Sequence, residues 1–162
     1  MKTLLILRHA KSSWKQAELA DHDRPLNKRG KRDAPRMGEI LVREASIPDL
    51  IISSSAKRAK KTTELLVEEV GYEGEIIFER DLYAAWPEAY IETLSVTPDE
   101  FENVMVVGHN PGLEDLLEIL TGEVERMPTA ALANVSLPIK HWRELSFETE
   151  GELVNIWRPK EL

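Results

Sequence analysis

The chain, 162 residues long, contains no cysteine. That one absence excludes disulfides, thiolate metal sites and cysteine nucleophiles together, and it leans toward a reducing compartment. Long apolar runs are missing as well: no stretch approaches the roughly 18 residues needed to cross a bilayer. In the opening MKTLLILRHA the apolar run Leu4–Leu7 is too short for a signal-peptide core. It meets Arg8 and His9 at once, with no small-residue cleavage site. No internal repeat, low-complexity tract or linker-like stretch interrupts the chain. A single domain over 1–162 is therefore expected, soluble and cytoplasmic, with no membrane partner. A domain of this length can bury most of its apolar surface without staples. The formal net charge is −8, which argues against nucleic acid as a partner, because binding a phosphate backbone needs a basic footprint. A local cationic pocket is compatible with that balance.

What is present alternates between strand-like and helix-like segments. Thr3–Leu7 is apolar on both faces, as a buried parallel strand would be. Asp49–Ser53, Glu75–Phe78 and Asn103–Val107 read as further strands. Leu26–Glu44 carries Ala34, Met37, Ile40 and Leu41 at helical spacing, and Pro35 inside it means that the helix starts there or is kinked. Ala56–Val70 reads as a helix capped by Gly71, Glu88–Val96 as a short one with Pro87 in its first turn, and Leu113–Leu120 as one closed by Gly122. Ala131–Leu137 and Leu153–Trp157 read as edge strands, with antiparallel pairing left open. The fold class expected is α/β, a three-layer sandwich with a mostly parallel sheet and helices on both faces.

In such sheets ligands sit beyond the carboxyl ends of the strands. The first strand is followed by Arg8-His9-Ala10-Lys11-Ser12-Ser13, the second by Ser53-Ser54-Ser55-Ala56-Lys57-Arg58, and the fourth by Gly108-His109-Asn110-Pro111-Gly112. Two histidines and two arginines thus converge on one sheet edge. Arginine holds two phosphate oxygens in a planar fork and keeps its charge, so the combination points to a phosphoryl group. Helix starts near Arg58 and Gly112 would add to the positive field. One histidine can attack phosphorus through a neutral ring nitrogen while the other helps the arginines neutralise the remaining oxygens.

Each residue also has a plainer role open to it. A histidine just after a strand is often a capping group, and GHNPG is also a tight turn with Asn110 as cap and Pro111 in the first helical turn. His22 and His141 lie in polar connections and read as surface residues. Trp14, Trp86, Trp142 and Trp157 read as packing residues. A metal on the two histidines would need a third ligand, and arginines beside it would repel the cation. Ser53–Ser55 offer a serine nucleophile, but there is no G-x-S-x-G elbow.

The blocks LRHAKSSW, SSSAKRAKKT and VVGHNPG resemble those of the histidine phosphatase superfamily, the branch that includes the phosphoglycerate mutases. DRPLNKRG (Asp23–Gly30) and the compact length resemble its short bacterial branch, the SixA-type phosphohistidine phosphatases. The resemblance implies a metal-independent hydrolase without a cofactor, with His9 as the nucleophile that becomes transiently phosphorylated. It implies that Arg8 and Arg58 clamp the phosphate and that His109 completes the pocket. Ser12 matches a small polar residue near the phosphate. Arg24 matches the branch pattern, either as a substrate contact or as a buried ion pair bracing the first loop. Larger relatives build a lid from insertions, and this chain has little spare length for one.

Superfamily members acting on esters supply a carboxylic acid to the leaving oxygen, expected in the segment Leu82–Glu88. Ala84 and Ala85 offer no proton; Glu88 is the nearest carboxylate, acting as the acid or merely capping the next helix. Imidazole is a far better leaving group than an alkoxide, so a weak or missing acid favours phosphohistidine in proteins. The alternatives are a phosphatase for small phosphate esters with Glu88 as acid, or a non-catalytic module that senses phosphorylated partners.

Overall fold

The computed structural model describes all 162 residues. Six strands form one sheet: β1 (Lys2–Arg8), β2 (Leu50–Ser54), β3 (Glu75–Glu79), β4 (Asn103–Gly108), β5 (Leu132–Leu137) and β6 (Glu152–Trp157), in the spatial order β3-β2-β4-β1-β5-β6. The first four are parallel to one another, and β5 and β6 add on antiparallel beyond β1. The expected architecture is therefore present. The last two strands resolve as antiparallel, and only β6 lies at the very edge.

Apolar residues on both faces of β1 separate two cores. Leu4 and Ile6 join the one closed by α3 (Pro87–Ser95) and α4 (Gly112–Thr121), while Leu5 and Leu7 join the one closed by α1 (Lys28–Arg43) and α2 (Lys57–Val70). Pro35 neither starts α1 nor ends it. Asn27 caps the helix by accepting a hydrogen bond from the Gly30 N–H at 2.9 Å, so the chain is already helical about two turns before Pro35. Gly30 is required there, because a Cβ would lie 2.2 Å from the Lys11 carbonyl oxygen. The start of α1 is thereby pressed against the loop that follows β1. Gly71 and Gly122 close α2 and α4 in the left-handed conformation, as their positions imply.

The tryptophans divide. Trp142 is fully buried and its indole N–H donates to the Phe101 carbonyl at 2.7 Å, and Trp157 packs beside the second core. Trp14 and Trp86 are each 72% exposed, so neither serves as core packing. Trp14 instead lies against Arg24, whose guanidinium carbon is 3.2 Å from the ring centroid. No helix is long and apolar enough to cross a membrane.

Candidate active site

Parallel pairing sets Arg8 of β1 beside Gly108 of β4, so the next residue on each strand is a histidine. The His9 N–H donates to the Gly108 carbonyl at 3.1 Å, and the two rings stand 5.0 Å apart, tilted by 50°. His9 is 6% exposed. Its Nδ1 lies 2.8 Å from the carbonyl oxygen of Ala10. A carbonyl only accepts, so Nδ1 carries the hydrogen and Nε2 keeps its lone pair. Burial pushes the ring's pKa down to about 3; His109, Arg58 and Arg8 add to this, and the Ala10 hydrogen bond opposes it. The ring is neutral at physiological pH, which is the nucleophilic form.

His109 is held from β2, whose Ser53 pairs with Val107. The Ser54 Oγ lies 2.8 Å from His109 Nε2 and also accepts the Ala56 N–H at 3.1 Å. Burial, then Arg58, lowers the His109 pKa to about 4. Ser54 is wholly buried, so it positions His109 and is not presented to a substrate. Arg8 donates to the Met127 carbonyl at 3.1 Å, a carbonyl also bonded by Asn110 Nδ2 at 2.8 Å. Asn110 is thus a brace on the segment before β5 and not the cap of α4, a place taken by Pro111. Arg8 Nε and His109 Nδ1 are both buried without a hydrogen-bond partner. Buried polar atoms left unpaired cost about 1–3 kcal/mol each, a penalty that a hydrogen-bond acceptor reaching either atom would remove.

Arg58 is 7% exposed and turned toward a residue the strand-end pattern does not single out. Its two terminal nitrogens donate to the Asp21 carbonyl at 2.7 Å and to Asp21 Oδ2 at 3.0 Å. The Tyr83 hydroxyl donates to the same Oδ2 at 2.6 Å, and Arg24 donates to Oδ1 at 3.0 Å. Tyr83, then Arg24 and Arg58, hold the Asp21 carboxyl far below the usual carboxylate range. Asp21 stands in a short 3-10 turn, Asp21–Asp23, inside the β1–α1 connection. His22 in that turn is half-buried rather than a surface residue; its Nε2 is 2.9 Å from Ser55 Oγ and its ring meets Tyr83 edge-on at 4.8 Å. Tyr83 in turn stands edge-on to His109 at 5.7 Å.

The site therefore gathers Arg8, His9, Arg58 and His109. Ser12 and Arg24 are buried but bonded to each other. Arg24 also donates to the Ser13 carbonyl at 3.2 Å, so all three of its nitrogens are committed to the loop and the bracing role is the one in place. Glu88 is exposed in the first turn of α3 and has no hydrogen bond to any site residue. No three His, Asp or Glu side chains gather into a metal-ligand group.

The family model of the histidine phosphatase superfamily (branch 1) matches residues 4–83. An uncharacterised chloroplastic protein of Arabidopsis thaliana is 35% identical over 153 residues, covering 88% of this chain and 70% of its own length. An uncharacterised protein of Mycobacterium tuberculosis is 30% identical over 150 residues, 86% of this chain and 91% of that one. Among solved structures, one assigned as the phosphohistidine phosphatase SixA of Agrobacterium tumefaciens superposes with a TM-score of 0.84 at 28% identity, over 98% of each chain. The paired histidines and arginines lie at the strand ends of that shared architecture, and the chain belongs to the histidine phosphatase superfamily, branch 1, with a fold of the SixA type.

Proposed function

We propose that the protein is a phosphatase that takes a phosphoryl group onto His9 Nε2 and passes it to water, with phosphohistidine in a protein as its substrate and no metal required. The observation that carries this reading is the fixed tautomer of His9. Its Nδ1–H is tied to Ala10, so the lone pair of Nε2 is free beside two guanidinium groups. That lone pair attacks phosphorus as the bond from phosphorus to the leaving group breaks. Arg8, Arg58 and a hydrogen from His109 offset the charge on the remaining oxygens, each donor being typically worth roughly 3–4 kcal/mol of barrier. Water then attacks the phosphorylated His9, the Nε2–P bond breaks, and inorganic phosphate departs.

The leaving group narrows the substrate. Asp21, the carboxylate in contact with Arg58, is held ionised and has no proton to give, and Tyr83 already donates its own to Asp21. An alkoxide would leave this site unaided. A phosphorylated imidazole protonated on its other nitrogen leaves as neutral imidazole, so no acid is needed at the breaking bond. The test is to mix the enzyme with a protein bearing labelled phosphohistidine and quench within milliseconds. Label recovered on His9, with phosphoramidate hydrolysed much faster than glycerol phosphate, is the expected result. Turnover that survives His9→Ala, or equal rates on the two small substrates, would overturn it.

A further inference from the structure

Helices α1 and α2 begin with cations at the end of a helix where carboxylates are normally favoured. Neither has an acidic residue in its first turn, whereas α3 has Glu88 and α4 has Glu114 and Asp115. In a chain of net charge −8, Lys57, Arg58, Lys60 and Lys61 crowd the start of α2, and Lys31 stands near the start of α1. This placement works against helix stability, so it calls for another reason. Lys31, Lys57, Lys60 and Lys61 line a single cleft of about 680 Å³, along with the carboxylates Asp23 and Glu64. Lys61 reaches Glu64 at 3.9 Å; the other three have no carboxylate partner, and all four are exposed.

The cleft abuts the phosphoryl site. His22 and Ser55 belong to its lining; His22 meets Tyr83 edge-on, and Ser55, bonded to His22, follows the Ser54 that holds His109. We propose that this lysine cleft binds an acidic stretch of the substrate protein next to its phosphohistidine, and so selects partners that carry carboxylates beside the modified residue. The proposal rests on the phosphohistidine reading given above. The chemistry favours a chain of carboxylates over a second phosphate. A lone phosphate is gripped by arginine forks and buried donors, which the neighbouring pocket has and this cleft lacks. Exposed lysines on flexible stems read the density of negative charge along a segment and speed its encounter.

Two peptides with the same phosphohistidine test it, one flanked by Asp and Glu and the other by Asn and Gln. The wild type should prefer the acidic peptide about tenfold in kcat/KM at low ionic strength, with the preference shrinking as salt rises. K60E/K61E should abolish that preference and leave phosphoramidate hydrolysis unchanged, and K60Q/K61Q should fall between. Equal use of the two peptides by the wild type, or a preference that survives K60E/K61E, would overturn the cleft assignment. So would a parallel loss of phosphoramidate hydrolysis. Fluorescence anisotropy of a labelled, unphosphorylated Asp/Glu peptide separates this from the catalytic reading. Binding lost in K60E/K61E supports the cleft even where no substrate turns over. Absence of binding to wild type, or tighter binding of a labelled oligonucleotide to the same lysines, counts against it.

Discussion

The Nδ1–H of His9 donates to the carbonyl of its own neighbour, Ala10, at 2.8 Å, which leaves Nε2, the nitrogen proposed to attack phosphorus, with its lone pair free. Such a contact orients the ring and selects the tautomer in one step. With burial holding the pKa to about 3, the neutral Nδ1–H form should persist throughout the physiological range. Nitrogen-15 NMR of the histidine rings should show His9 Nε2 unprotonated from pH 8 to pH 5. A ring that titrates near 6.5 would show that burial does not govern it.

Ser54 is a positioning residue, since it touches His109 and not the reacting atoms. Its hydroxyl serves the His109 ring and the Ala56 N–H, both buried. Ser54→Ala leaves each without its partner, and the expected destabilisation is about 1–3 kcal/mol. The loss of ring orientation should lower kcat roughly tenfold and leave KM nearly unchanged. Urea unfolding reads the first effect and steady-state kinetics the second; an equal rise in KM would mean that Ser54 acts on binding.

On the proposed function, Asp21 and a bound phosphate would compete for Arg58. The Asp21 carboxylate bonds that guanidinium at 3.0 Å and presents a negative charge where a phosphoryl oxygen would otherwise be drawn. Asp21→Asn keeps an acceptor for the arginines but removes the charge. The side chain is half exposed, so solvent screens much of its field. Inhibition by inorganic phosphate should then tighten by about fivefold, equivalent to about 1 kcal/mol. An unchanged or weaker inhibition constant would place Asp21 in support of anion binding instead.

The strand ends were legible because parallel pairing makes them so. Apolar runs on both faces mark buried strands, and the residue after each must lie on the same sheet edge; Arg8 pairing with Gly108 is that rule in atoms. Arg58 followed from the same logic as the second residue of the helix after β2. Asp21, His22 and Tyr83 were not legible, because they arrive from connections whose course depends on tertiary packing. The course of the β1–α1 loop over Arg58 goes with the close approach of α1 to Lys11 at Gly30 and with the bonds of Arg24 to Ser12, Ser13 and Asp21. The D-H-D-R-P run held the signal, as acidic residues three and one positions before a buried arginine, but spacing alone does not tell which of them turns inward. Trp14 and Trp86 went the other way, since apolar bulk is a poor guide to burial in a loop.

Two buried neutral histidines also make the fold sensitive to acid, with a defined sign. The folded-state values are about 3 for His9 and about 4 for His109, below the ordinary value near 6.5 expected in the unfolded chain. Between pH 6.5 and those lower values the unfolded chain binds protons that the folded one refuses. The stability is therefore fully present above pH 6.5 and is lost as the pH falls toward 4, levelling off below the folded-state values. At pH 5 each ring should have cost the fold about 2 kcal/mol, at 1.36 kcal/mol per unit. Urea unfolding at pH 8 and pH 5 checks this by difference. His109→Gln should lose about 2 kcal/mol less than wild type over that interval, whatever its stability at pH 8, because glutamine does not titrate. Identical losses in the two proteins would mean that His109 accepts its proton in the folded state, and that the pocket is wetter than its burial implies.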